Sequence, residues 1–457
     1  MRERIKTALL FFLIIFAIFL SSKLWLDFSS ERKDSIEAKE KEKVELKDYI
    51  SAETAIVSFA KDKKTVLDNP GEQGLFHSFK GLFSDVFTKN DYKVSLISQN
   101  EYESLITSSR CVVFTFIDNF PLRLIARTFN IIEKNNFIDN DKNIKEVAVL
   151  LYSGTAIFKT DTSIYKLTGL NTSLSLANSI VSNLELKPNL AYYYNASTLL
   201  GEKSPLYIPY QDEFASYIFD EYTEAHDFDI LERDNARSFA QRFFDKEFKY
   251  LKEIEEKDFS KIYSYGSEVV KLKYDGSIEY FDPLKKMHKE RNLLKSIETA
   301  IAFLQNDIME EHALKLSKIE EITSEDKLGY RISFDYYLDG MKVCYEKDSD
   351  YYASVDVFMD EVRFATVNKA SFNKYSAEAF YTKNILDLIE KKASVFHLAP
   401  DENPLKAINK ISIVYLVRRE ESVLVPMIRI DTNKAYYIFD AKTFELIKER
   451  DYELEQS

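Results

Sequence analysis

Ser324 with Lys327 and Ser371 with Lys374 have the spacing at which a lysine amine can take a serine hydroxyl proton, as in Ser/Lys acyl transferases of the penicillin-binding class. The companion Lys-Thr-Gly triplet is missing. The same spacing recurs at Ser58 with Lys61 and at Ser163 with Lys166, as chance provides in a lysine-rich chain. Of the five histidines, His77, His226, His288, His312 and His397, no two lie close enough for a local zinc motif. Asp139, Asp141 and Asn143 begin like a calcium loop, but Ile144 stands where the turn glycine is required and Leu150 where a bidentate Glu is required. The ten glycines never fall as Gly-x-Gly, which removes the dinucleotide fingerprint and the Walker loop, and no serine sits in a nucleophile elbow. Abundant Asp and Glu leave room for a carboxylate pair of the glycoside-hydrolase kind, whose separation a sequence does not report. Cys111 and Cys344 are far apart and in no metal pattern, so two packed thiols are expected, with one long-range disulfide as the alternative. No catalytic, cofactor-binding or metal-ligating residue is assigned, and no cofactor is expected.

The elements that would have to position any such residues are short and numerous. In 457 residues there are 34 Phe and 29 Tyr against 10 Gly and 9 Pro, a balance that favours half-buried pleated surfaces over glycine-rich loops. The net charge of −13 argues against general binding to nucleic acid phosphates. Ala8 to Leu20 is wholly apolar, and from Ile5 to Leu26 a helix would extend about 33 Å, enough to cross a bilayer if Lys6 and Lys23 snorkel. Arg2, Arg4 and Lys6 precede it, so the positive-inside rule places the N-terminus in the cytoplasm and the bulk of the chain outside. A cleaved signal peptide is the competing reading, but Ser21-Ser22-Lys23-Leu24-Trp25 offers no Ala-x-Ala-like site. Residues 28–48, with alternating acids and bases, then read as a solvated helical stalk.

Beyond the stalk, period-two runs predict strands at Ala55–Phe59, Val94–Ile97, Cys111–Ile117, Val147–Tyr152, Thr155–Lys159 and Ser163–Leu167, with a turn at Gly154. Asp275-Gly276 and Asp339-Gly340 predict hairpins. Leu293, Ile297, Ala300, Ile301 and Leu304 predict one helix, and Ala377, Tyr381, Ile385, Leu388 and Ile389 another, each followed by a strand meander. A helix plus meander written twice suggests a duplication. The expected fold class is α+β: an N-terminal transmembrane helix, then an extracytoplasmic multi-domain region of helices packed on antiparallel sheets. The expected domains are 1–27 (tail and membrane helix), 28–48 (stalk), 49–204 (mixed α/β), 205–372 (helix plus sheet) and 373–457 (helix plus sheet).

Four stretches carry a family resemblance: the N-terminal span, LKYDGSIEYFDP at Leu272–Pro283, YRISFDYYLDGMKV at Tyr330–Val343, and VPMIRIDTNKAYYIFDAKTFELI at Val425–Ile447. Together they resemble the YycH/YycI-type extracytoplasmic regulators of the cell-wall sensor kinase WalK in Gram-positive bacteria, and their modules are similar to PepSY-type domains. Ile428 and Phe444 depart from the pattern, where a Trp and a turn Gly would be expected. The resemblance implies a single-pass, non-enzymatic protein of the cell membrane that sets the output of a two-component signal-transduction system. Its partners would be a membrane-embedded histidine kinase and a second YycH/YycI-type regulator, with no nucleic acid. The helix face with Leu10, Ile14, Ala17 and Ser21 is then the expected partner-helix contact, because Ala17 and Ser21 are small residues four apart. Tyr336, Tyr337, Tyr436 and Tyr437 could add an exposed partner surface, or be half-buried sheet residues. An anchored hydrolase or acyl transferase and a peptide-binding or protease-inhibitor module are the alternatives.

Overall fold

Strand pairing dominates the chain. The computed structural model describes residues 45–452 apart from 72–73, 135–141, 188–189, 202–203, 205, 210–220, 225–232, 245–250, 287–288, 307, 309–313, 325, 347–349, 370–371, 377–383, 397–402 and 419–422. Nine strands form an antiparallel N-terminal sheet in the spatial order Lys93–Leu96, Ile164–Thr168, Thr155–Thr160, Ile144–Leu150, Cys111–Thr115, Thr54–Ala60, Lys63–Leu67, Tyr193–Asn195 and Tyr207–Pro209. The apolar residues of Lys80–Thr88 fall one helical turn apart, so Leu82, Phe83, Val86 and Phe87 are all buried. They meet an aromatic core in which Phe83 stacks on Phe129 at 5.5 Å and Phe76 meets Phe114 edge-on at 5.3 Å. Helix Gln99–Ser108 is started by the Ser98 hydroxyl, which accepts the Glu101 N–H at 3.2 Å. It packs through Tyr102 and Ile106 on Cys111, Val113, Ala148 and Ile157.

A second sheet has thirteen strands. Its spatial order is Lys252–Glu255, Lys261–Tyr265, Glu268–Leu272, Ser277–Phe281, Glu361–Asn368, Ala353–Phe358, Lys327–Leu338, Met341–Tyr345, Ile408–Val417, Pro426–Thr432, Ala435–Asp440 and Leu446–Asp451, with Leu314–Ser324 pairing Lys327–Leu338. Lys327–Leu338 joins the two halves: Tyr330–Phe334 pairs with Ala353–Val357, and Tyr336–Leu338 with Met341–Val343. Asp339 and Gly340 both have positive φ, 45° and 81°, as a two-residue hairpin turn requires. Gly329 permits the closest approach, since a Cβ there would lie 2.6 Å from the Val357 carbonyl oxygen. Met341–Tyr345 then pairs in parallel with Ile408–Val417, so strands from either side of residue 372 belong to one sheet. A small sheet combines Phe372–Ser376, Glu221–Glu224 and Val423–Leu424.

Two expectations are corrected. The α+β class, with helices layered on separate sheet modules behind a transmembrane helix, gives way to a β-dominated architecture. Its apolar strands satisfy their edges on each other, and its helices are short accessories, the longer ones being Leu293–Asn306 and Ser175–Glu185. The expected span at 5–26 and the stalk at 28–48 up to residue 44 lie outside the described residues. Among the described residues no helix is long and apolar enough to cross a membrane. Leu293–Asn306, at 14 residues, extends about 21 Å, against the roughly 30 Å of a bilayer core. The single-pass localisation, N-terminus cytoplasmic and bulk extracytoplasmic, is therefore withdrawn.

Candidate functional site

Helix Gln99–Ser108 covers only part of its sheet face. Beside it a cleft of about 1390 Å³ opens over Ile56, Lys64, Val66 and Val113, closed on other sides by Tyr193, Asn195, Ser204 and Tyr207 and by Asn409, Lys410 and Ile411 of the second sheet. The strand alternation explains which side chains line it. In Lys63–Leu67 the even-numbered Lys64 and Val66 border the cleft, while the Thr65 hydroxyl bonds the Ala191 carbonyl at 2.7 Å.

Lys410 reaches into the cleft from the second sheet. Its Nζ stands 3.0 Å from Glu53 Oε1 and 3.6 Å from Asp68 Oδ1, across the neighbouring strands Thr54–Ala60 and Lys63–Leu67. Lys410, Glu53 and Asp68 keep 35, 40 and 27% of their side-chain surface, so protein surrounds them while water reaches one side. Burial works against the Lys410 charge, but Glu53 and Asp68 outweigh it and hold the amine above its ordinary value. The Lys410 ammonium holds the Glu53 carboxyl below the usual range. Burial pushes Asp68 up, with Lys410 only partly offsetting it. The two acids are thus driven apart in acidity.

Lys64 contrasts with this. It is 9% exposed, and burial lowers its pKa. Its ammonium lies 5.8 Å from the centre of the Tyr207 ring, and among the described residues it makes no ion pair. Its ladder neighbours are Ser58 and Tyr193, with Cys111 on the next strand beyond Ser58. Burial pushes both the Cys111 thiol and the Tyr207 hydroxyl up to about 12. Elsewhere in the cleft Lys159 pairs with Glu146 at 2.5 Å, and the Tyr102 hydroxyl donates to the same carboxylate at 2.5 Å.

A second ionic cluster lies on the far strands of the large sheet. Arg429 pairs with Asp431 at 2.6 Å and covers the Tyr436 ring at 4.0 Å. Tyr452 donates to Asp431 at 2.7 Å. Tyr436 donates to Asp350, which also receives Arg450 at 3.0 Å and Lys448 at 3.3 Å. Tyr336, Tyr436 and Tyr437 are therefore core residues, each no more than 3% exposed, and Tyr337 is half-buried.

The residues singled out by spacing do not converge. Ser324 and Lys327 face each other across a hairpin, with Lys327 Nζ donating to the Leu284 carbonyl at 3.2 Å. Ser371 lies outside the described residues, as do Leu10, Ile14, Ala17, Ser21, Asp139, Asp141 and every histidine but His77. His77 Nε2 stands 3.1 Å from the Lys47 carbonyl oxygen, and burial lowers its pKa. No group of His, Cys, Asp and Glu among the described residues could hold a metal ion. Cys111 and Cys344 are both free and buried. Sequence reasoning missed Glu53, Lys64, Asp68 and Lys410. Of these, only Lys64 had a readable signal: a lysine on the same strand face as the apolar Val66.

No protein-family model matches the chain, and no curated protein sequence does. Two solved structures are similar over part of it. An uncharacterized protein from Eubacterium rectale aligns at 10% identity and a TM-score of 0.34, covering 58% of this chain and 94% of that one. The YpeB C-terminal domain of Bacillus megaterium aligns at 13% identity and a TM-score of 0.25, covering 48% and 97%. At such scores neither carries an assignment of fold or function.

Proposed function

We propose that the chain is a non-catalytic accessory regulator that acts by binding, its partners being a sensor histidine kinase of the WalK type and a second YycH/YycI-type protein. One observation carries the reading. The three body segments that resemble that family, 272–283, 330–343 and 425–447, all contribute strands to the thirteen-stranded sheet, and 330–343 includes the strand that joins its halves. Shared residues concentrated in one scaffold suit a protein whose output is a surface rather than a reaction. The test is crosslinking of the full chain in its native cells, followed by co-purification. Recovery of a histidine kinase supports the reading; its absence at saturating crosslinker overturns it.

A carboxylate hydrolase is the second reading, favoured by Glu53 and Asp68 converging in one cleft with their acidities driven apart. It ranks second because Lys410 engages both acids. Hydrolysis of cell-wall glycan by the full chain, abolished in Glu53→Gln, would establish it.

A further inference from the structure

The cleft holds lysines in opposite electrostatic situations. Lys410 has two carboxylates, and Lys159 has Glu146. Lys64 is nine-tenths buried, lines the same cleft, and among the described residues makes no ion pair: the Tyr207 ring lies 5.8 Å away, and the exposed Asp62 only partly offsets the cost of its burial. A buried ammonium without an ion-pair partner is costly, and folds keep such groups mainly where something else supplies the charge. The ammonium is not sealed off, because Lys64 borders the open cleft. The Tyr207 ring faces it, and its ladder partner Tyr193 and the neighbouring Asn195 stand in the same lining. A chain of net charge −13 does not gather anions indiscriminately, so attraction has to be local.

We infer that the cleft binds a small molecule carrying an anionic group, carboxylate or phosphate, and that the Lys64 ammonium receives that group. Tyr207 and Tyr193 would border the remainder of the ligand. The volume, about 1390 Å³, exceeds that of an ordinary drug-sized pocket and leaves room for more than the anion. This inference does not depend on the kinase reading, since anion binding and kinase recovery are measured separately.

The test is calorimetric titration of the full chain with citrate and with inorganic phosphate at low ionic strength. Wild type is compared with Lys64→Met, which keeps an unbranched side chain in the same space, and with Lys61→Met at the exposed rim. At least one anion should bind wild type, with affinity weakened roughly ten- to a hundredfold in Lys64→Met, as loss of a charge-assisted hydrogen bond entails. Binding to Lys61→Met should change by less than about threefold. The tighter of the two probes identifies the anionic group. A second measurement needs no variant: the bound anion should slow acetylation of Lys64 in wild type, read by mass spectrometry, and leave Lys61 unaffected. If neither anion binds wild type, or if binding is the same in a folded Lys64→Met and Lys64 is not protected, the inference is wrong.

Discussion

Lys410 and Lys64 enter one cleft from two different sheets, and the contrast between them separates a lysine that holds the molecule together from one that the molecule merely tolerates. Lys410 crosses from the large sheet to Glu53 and Asp68 at the strand ends of the nine-stranded sheet, and its charge is favoured there. Lys64 sits within its own sheet, more deeply buried, with a ring in place of a carboxylate, and its charge is disfavoured. Burial is the same physical cost in both places; the local counter-charge decides the sign.

The largest expected effect breaks the first arrangement. Lys410→Met leaves two facing acids without their cation. Removing one partner of a fully buried pair costs about 3–5 kcal/mol. With 35% of the Lys410 side chain open to water, the expected loss is about 1–2 kcal/mol in denaturant unfolding. A loss below about 0.3 kcal/mol would mean that the bridge contributes nothing.

Next comes the response to pH. The Lys64 amine has a folded pKa below the ordinary 10.5. Its cost is therefore full at neutral pH and is relieved as pH rises through that folded value toward 10.5. The folded pKa of Lys410 lies above 10.5, so its contribution is intact below 10.5 and lost only beyond it. Cys111 and Tyr207, at about 12, stay protonated throughout this range. Lys64→Met should accordingly melt above wild type at neutral pH, with the gap closing by pH about 10, while the deficit of Lys410→Met stays constant. Thermal scans at the two pH values check both signs, and parallel behaviour of the two variants would erase the distinction.

The two acids should also differ. Glu53→Gln removes the carboxylate that Lys410 holds ionised and should cost about 0.5–1 kcal/mol. Asp68→Asn replaces a carboxyl that burial already pushes toward its neutral form and should stay within about 0.3 kcal/mol of wild type. Equal losses in urea unfolding would show that Lys410 does not discriminate between them. The smallest effect is expected from Tyr207→Leu. It removes the ring beside Lys64 at a cost of about 0.5 kcal/mol beyond lost packing, and that excess should vanish when combined with Lys64→Met in a double-mutant cycle.

Much of the strand content was legible. Asp339-Gly340 forms the two-residue turn its chemistry demands, and Thr155–Thr160 and Ile164–Thr168 fall where period-two patterning puts them. Asp275-Gly276 is instead part of a wider turn, in which Lys273 N–H bonds the Ser277 carbonyl and the Asp275 carboxylate caps Ser277. Lys252–Glu255 and Lys261–Tyr265 were not foreseen, because Lys252–Glu255 is an exposed edge strand with little apolar signal and its partner pairs on both sides with charged residues. The candidate site was hardly legible at all. Glu53 and Lys410 are 357 residues apart in sequence and carry no motif, while the Ser/Lys pairs that do match a motif lead to a hairpin rung.

Sequence alone determined the class of local structure, since alternation, Asp-Gly turns and helical apolar spacing act over a few residues and need no partner from elsewhere. It also determined the absence of glycine-rich phosphate loops and local zinc motifs, which are defined by short spacing. Tertiary structure decided how strands on either side of residue 372 share one sheet, because the parallel pairing of Met341–Tyr345 with Ile408–Val417 depends on which edges remain open once each hairpin has closed. It likewise decided that Lys410 has carboxylates within ion-pair distance and Lys64 has none, because burial and pairing belong to the space around a residue.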